Sequence, residues 1–270
     1  MQGRLSPPTD GKFQSFPKHS WREEFHKAQK AGLKSIEWIF EADEWEKNPL
    51  SSLDGVKEIN DLVAETGVLV ESVCADYFMD IPYFTASDNL RKEHREKLSW
   101  LVQQASSAGA KHIDLPFVDA SKISSREQFP LVEEFVQPAL KVALGKGIVI
   151  AFETNLNPED FRSFLERNSH SQMMANYDTG NSSGLGYNCA EELQAYGKWI
   201  KTVHIKDRLL NNGTKPLGTG SADFPTFFSE LSKLNYNGPV ILQAAREGDE
   251  VETAIKNRKF VETYLKEYHI

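Results

Sequence analysis

The chain has 270 residues, 40% of them hydrophobic and 26% charged, and carries a formal net charge of −8. That acidic balance excludes a nucleic-acid partner requiring a basic face. Cys74 and Cys189 lie too far apart to suggest a disulfide framework or a cysteine-rich zinc site. No apolar run approaches the roughly 20 residues of a bilayer span, and the opening MQGRLSPPTDG has no apolar signal core. The expectation is a reduced, cytoplasmic, soluble protein with no membrane partner.

In chain order, short apolar runs alternate with longer amphipathic segments. MQGRL (1–5) reads as a strand and 20–31 as a helix. LKSIEWI (33–39) is followed by a helix at 53–66, VLVESVC (68–74) by one at 88–108, and KHIDLPF (111–117) by one at 126–145. IVIAFE (148–153) precedes 158–168, QMMANYD (172–178) precedes 189–198, IKTVHI (200–205) precedes 223–234, and PVILQA (239–244) precedes 251–267. Asn157 before Pro158, and Asp223, are N-cap signals, and Gly32, Gly67, Gly109, Gly147 and Gly238 mark the returns to strands. Eight strand–helix pairs without a composition break predict a single (β/α)8 TIM barrel over residues 1–270, an open doubly wound sheet being the alternative.

Barrel chemistry sits at the C-terminal ends of strands. Four successive runs end in Glu153, Asp178, His204 and Gln243, separated by 25, 26 and 39 residues. Ala151 shares a face with Glu153, whereas Ile150 and Phe152 point toward helices. Two carboxylates, an imidazole and an amide oxygen suit one divalent metal ion, Mn²⁺, Zn²⁺, Co²⁺ or Mg²⁺. The plainer reading is four barrel-mouth polar groups bonded to neighbouring loops.

These four positions, with HIKD (204–207) and GTGSADF (218–224), resemble the xylose-isomerase-like sugar isomerase/epimerase family, over essentially the whole barrel and most strongly from residue 148 onward. The resemblance implies a metal held by a Glu/Asp/His/Glu set, a sugar or sugar-phosphate substrate, and two glutamates working on opposite faces of an enediolate. This chain departs from that pattern at Gln243, whose amide cannot accept a proton at neutral pH. Glu153 alone as base still permits aldose–ketose isomerisation, an inosose-dehydratase-like lyase reaction needs only one strong base, and a non-catalytic sugar-binding barrel is the remaining alternative. An abasic-site endonuclease shares the barrel but needs a richer histidine set and a basic groove.

Around this centre, Lys206 is expected to neutralise an enediolate, and Arg4, Arg208 and Arg246 to reach substrate. Trp38, Tyr77 and Phe78 are candidates to lie against a sugar ring, and Asp207 to orient a basic neighbour or His204. PLGTGSAD (216–223) offers backbone N–H groups to an anion, and GNSSGLG (180–186) reads as a flexible wall; barrels of this kind often form a homodimer, but no patch in the sequence specifies one.

Overall fold

Side chains that alternate in and out, with β-branched and aromatic residues on the outward face, put each short run into a strand. The computed structural model describes residues 1–12, 14–168 and 170–270. Its strands are β1 (Ser35–Ile39), β2 (Leu69–Cys74), β3 (His112–Phe117), β4 (Val149–Thr154), β5 (Met173–Asp178), β6 (Ile200–Ile205), a short hairpin β7 (Asp207–Arg208) and β8 (Thr214–Lys215), and β9 (Val240–Leu242). The parallel sheet runs β1-β2-β3-β4-β5-β6-β9.

The expected first strand contracts to a staple. Gln2 bridges Glu37 in parallel, the Glu37 N–H donates to Met1 O (2.9 Å), and the Gln2 N–H donates to Leu242 O (3.2 Å). Residues 1–2 thereby join the two edges and close the barrel, which excludes the open sheet. Gly3 ends the pairing: its φ of +48° is left-handed, and an added Cβ would collide with Ile39 Cδ1.

The helices are α1 (Trp21–Lys30), α2 (Leu53–Thr66), α3 (Tyr77–Asp80), α4 (Asp88–Ser107), α5 (Phe129–Lys146), α6 (Pro158–Arg167), α7 (Thr179–Leu185), α8 (Cys189–Tyr196), α9 (Phe224–Lys233) and α10 (Glu250–Tyr268). Caps fix their starts as the sequence indicates: Asn157 Oδ1 accepts from Asp160 N (2.9 Å) and Asp223 Oδ1 from Thr226 N (3.1 Å). Long helices bury one stripe, as in α4 with His94, Leu98, Leu101, Val102 and Ala105. The core lies between this ring and the outward strand face, where Ile113, Leu115, Ile150, Phe152, Val203 and Ile205 are fully buried.

The inward face is polar. Glu37, Ser72, His112, Asp114, Asn176, Thr202 and His204 are all buried. Two register shifts fall immediately before such residues: Glu71 of β2 is passed over between the Ile36–Val70 and Glu37–Ser72 pairs, and Lys201 of β6 between the Ala175–Ile200 and Asn176–Thr202 pairs. A bulge there re-aims the side chain that follows.

One expectation is corrected. Residues 180–186 are not a loose wall but mostly the helix α7, capped by Asp178 Oδ1, which accepts from Gly180 N (2.7 Å) and Asn181 N (2.8 Å). Its glycines reflect close packing. A Cβ on Gly180 would lie 2.6 Å from Lys206 Cγ, and one on Gly184 would lie 3.2 Å from Arg208 Nε. Among the described residues no helix is long and apolar enough to cross a membrane.

Candidate metal centre and active site

Parallel register levels the strand ends. Cys74 pairs with Asp114, Pro116 with Glu153, and Asp178 with His204, so side chains two residues further on share the barrel mouth. His204 lies at the heart of this layer, fully buried. Its Nε2 is 3.0 Å from Glu37 Oε1 and 4.0 Å from Asp114 Oδ2, and its Nδ1 is 3.3 Å from Glu153 Oε2. Asn176 Nδ2 donates to Glu153 Oε2 (2.8 Å) and lies 3.0 Å from His204 Nδ1. Asn181 Nδ2 also donates to Glu153, and Ser72 Oγ donates to Glu37 Oε2 (2.6 Å).

Burial alone would favour a neutral imidazole, but Glu37, Glu153 and Asp114 outweigh it and raise the His204 pKa well above the usual histidine value. Glu37 responds in the opposite sense: burial pushes it up, yet His204 beside it brings it down to about 2. Asp114 is raised well above the carboxylate range by burial and by Glu153.

Ligand atoms of Asp114, Glu153 and His204 all lie within 4.8 Å of one another. Among the described residues Asp114 Oδ1 is buried without a hydrogen-bond partner, and Glu37 Oε1 and His204 Nε2 are buried facing each other as an ion pair. Two carboxylates and an imidazole at this spacing fit a divalent cation, whose charge would compensate the clustered acids. Of the four ligands expected, the structure places Glu153 and His204 together. Asp178 and Gln243 converge instead on the Lys206 ammonium, with Nζ 3.4 Å from Asp178 Oδ2 and 2.8 Å from Gln243 Oε1. Asp114 and Glu37 complete the cluster.

Glu153, Lys206, Arg208 and Gln243 line a cavity of about 620 Å³ at the mouth, together with Asp76 and Gln14. Arg208 Nη1 donates to Asn181 Oδ1 (3.1 Å) and its Nε to Asn212 O (3.1 Å). Arg4 is buried beside the cavity and donates to Gln2 Oε1 (2.9 Å) and Gln14 Oε1 (3.4 Å). Burial and Arg246 pull its pKa down to about 10. Arg246 donates to Ser6 O (2.7 Å) and Gly3 O (2.9 Å), fastening the N-terminal segment.

The aromatic candidates lie elsewhere. Trp38 alternates with inward Glu37, so it packs under α1 against Phe16 and Trp21 and donates to Asn48 Oδ1 (2.9 Å). Tyr77 stacks on Phe40, and Phe78 packs on Phe135; none of the three lines the cavity.

Asp207 also has a different task from the one expected. Its carboxylate is fully buried and accepts from the N–H groups of Gly218 (2.9 Å), Gly220 (2.8 Å) and Ala222 (3.1 Å). The anion that loop 216–223 grips is therefore this side chain. Asp207→Ala leaves three donors without it and should cost on the order of 3 kcal/mol, with faster proteolysis within 216–223. Urea unfolding and limited digestion measure both, and a variant as stable as wild type would contradict the assignment.

The xylose isomerase-like TIM barrel family model matches residues 25–264. A putative L-ribulose-5-phosphate 3-epimerase of Escherichia coli K12 is 26% identical over 272 residues, covering 92% of each chain. Among solved structures, an L-ribulose 3-epimerase superposes with a TM-score of 0.78 at 13% identity, covering 100% of this chain and 94% of the other. The IOLI protein with a bound zinc atom gives 0.77 at 17% identity, covering 99% and 97%. A barrel of this topology, matched over nearly its full length, belongs to the xylose isomerase-like TIM barrel family.

Proposed function

We propose that the protein is a sugar or sugar-phosphate epimerase or isomerase that uses one divalent metal ion and has Glu153 as its base. The observation that carries this reading is Glu153 itself, a carboxylate lining an open mouth cavity with an imidazole and a second carboxylate against its inner side. Curated relatives named as L-ribulose-5-phosphate 3-epimerases support the substrate class. A cation held by Asp114, Glu153 and His204 would supply Lewis-acid polarisation of a carbonyl oxygen.

The chain's own groups do the rest. Asn176 and Asn181 fix the Glu153 carboxylate from two sides, aiming it at the proton on the carbon beside the carbonyl. Lys206 Nζ, held between Asp178 and Gln243, presents its charge where an enediolate oxygen would develop. Arg208, on the same wall, suits a phosphate at the open end.

The test is solvent exchange in D₂O with L-ribulose, L-ribulose 5-phosphate and D-allulose, followed by NMR. Deuterium should enter the carbon beside the carbonyl of at least one of them, and Glu153→Gln should abolish exchange of the epimer whose proton Glu153 removes. A wild-type protein inert toward all three, with divalent metal present, would sink this reading and favour a barrel that only binds sugar.

A further inference from the structure

Gln243 leaves the barrel mouth without a second carboxylate at that strand end, and Asp76 stands close to the place where one is missing. Asp76 follows β2 by two residues. Since Cys74 pairs with Asp114 and Pro116 with Glu153, Asp76 is level with Glu153 and two strands away around the barrel. It is 5% exposed and lines the same cavity as Glu153 and Gln243. Gln14 connects the two positions: its Nε2 donates to Asp76 Oδ2 (2.7 Å), and its Oε1 accepts from Gln243 Nε2 (3.4 Å). Cys74 Sγ lies 3.2 Å from Asp76 Oδ1 and 3.5 Å from Asp114 Oδ2.

Building on the epimerase reading above, we propose that Asp76 is the second acid/base of the reaction, working on the face of the reacting carbon opposite Glu153. Glu153 removes the proton from the carbon beside the carbonyl, and the C–H electron pair passes into the enediolate. Asp76, as the neutral acid, forms a new C–H bond on the other face. Glu153 is left protonated and Asp76 ionised, and the reverse reaction uses them in exchanged roles. Burial supports the neutral acid by moving Asp76 up to about 7, where its acid and base forms coexist near neutral pH. The charged and titratable groups around it are Arg4, Cys74, Asp80, Asp114 and Glu153.

The inference predicts a stereochemical split that a structural role would not produce. Metal-loaded wild type, Asp76→Asn and Glu153→Gln are each incubated in D₂O with both members of three C3-epimeric pairs. The pairs are L-ribulose and L-xylulose, their 5-phosphates, and D-allulose and D-fructose. Asp76→Asn should interconvert the active pair about 100-fold more slowly than wild type and still exchange the C3 proton of one epimer, whereas Glu153→Gln should exchange only the other. Asp76→Glu should recover part of the interconversion, and Asp76→Ser is read in the same way should Asp76→Asn fail to fold. Interconversion by Asp76→Asn within tenfold of wild type would overturn the inference while leaving the epimerase reading intact. Loss of exchange from both epimers in a variant that melts like wild type would also overturn it, as the mark of a positioning group. A wild type inert toward all three pairs would overturn the epimerase reading and this inference together.

Discussion

Glu153→Gln should lower kcat by about 10³-fold, the scale on which removal of a general base acts. The substitution keeps the shape of the side chain and one acceptor oxygen but removes the basic lone pair that takes the proton. It also turns an Nε2 donor toward Asn176 or Asn181, both of which now donate to the carboxylate. The fold should therefore weaken by about 1–2 kcal/mol, far too little to explain the loss of turnover at 25 °C. Steady-state kinetics on the sugar found by solvent exchange, with a thermal melt beside it, separates the two effects. A variant within tenfold of wild-type kcat would remove Glu153 from the chemistry.

His204→Ala should have the largest effect on stability. The imidazole is the cation among Glu37, Asp114 and Glu153, and breaking a buried pair by deleting one partner costs about 3–5 kcal/mol. In chelator-treated protein the loss depends on pH in a definite sense. His204 is raised above its unfolded value of 6.5, so its contribution is complete below 6.5 and fades as the pH climbs through the folded value. Glu37 is depressed from 4.5 to about 2, so its contribution is complete above 4.5 and disappears as the pH falls toward 2. The stability gap between wild type and His204→Ala should thus be widest between pH 4.5 and 6.5. Denaturant midpoints across pH 3–9 measure it, and a gap that is flat with pH would refute the ion-pair description. The same variant should bind less divalent metal by elemental analysis, since it lacks one of the three converging donors.

The eight predicted helices were legible in the sequence to within a few residues because each carries an apolar stripe, and several begin at a cap such as Asn157 or Asp223. Glu153, His204 and Lys206 were legible because strand ends in a barrel point at a common centre. Asp114 and Glu37 were not assigned, as they lie within apolar-looking runs. The readable signal was strand alternation, which puts Asp114 on the same face as His112 and Glu37 on the face opposite Trp38. Helix α7 was hidden by glycines whose purpose is contact with Lys206 and Arg208, a relation between segments that no local pattern carries. The same limit applies to Asp178 and Gln243. Their convergence on Lys206 depends on how far a lysine reaches across the mouth.

The staple at residues 1–2 has a consequence for biogenesis. The first residues of the chain close against Leu242, and Arg246 grips the carbonyls of Gly3 and Ser6. A ribosome must release the chain as far as Leu242 before that seam can form, so the outer edge of residues 1–2 waits unpaired until then. Contacts this distant in sequence form late and slowly. A chain joined head to tail and reopened between α4 and β3 would place the seam within continuous sequence, and it should fold faster and aggregate less than the natural order.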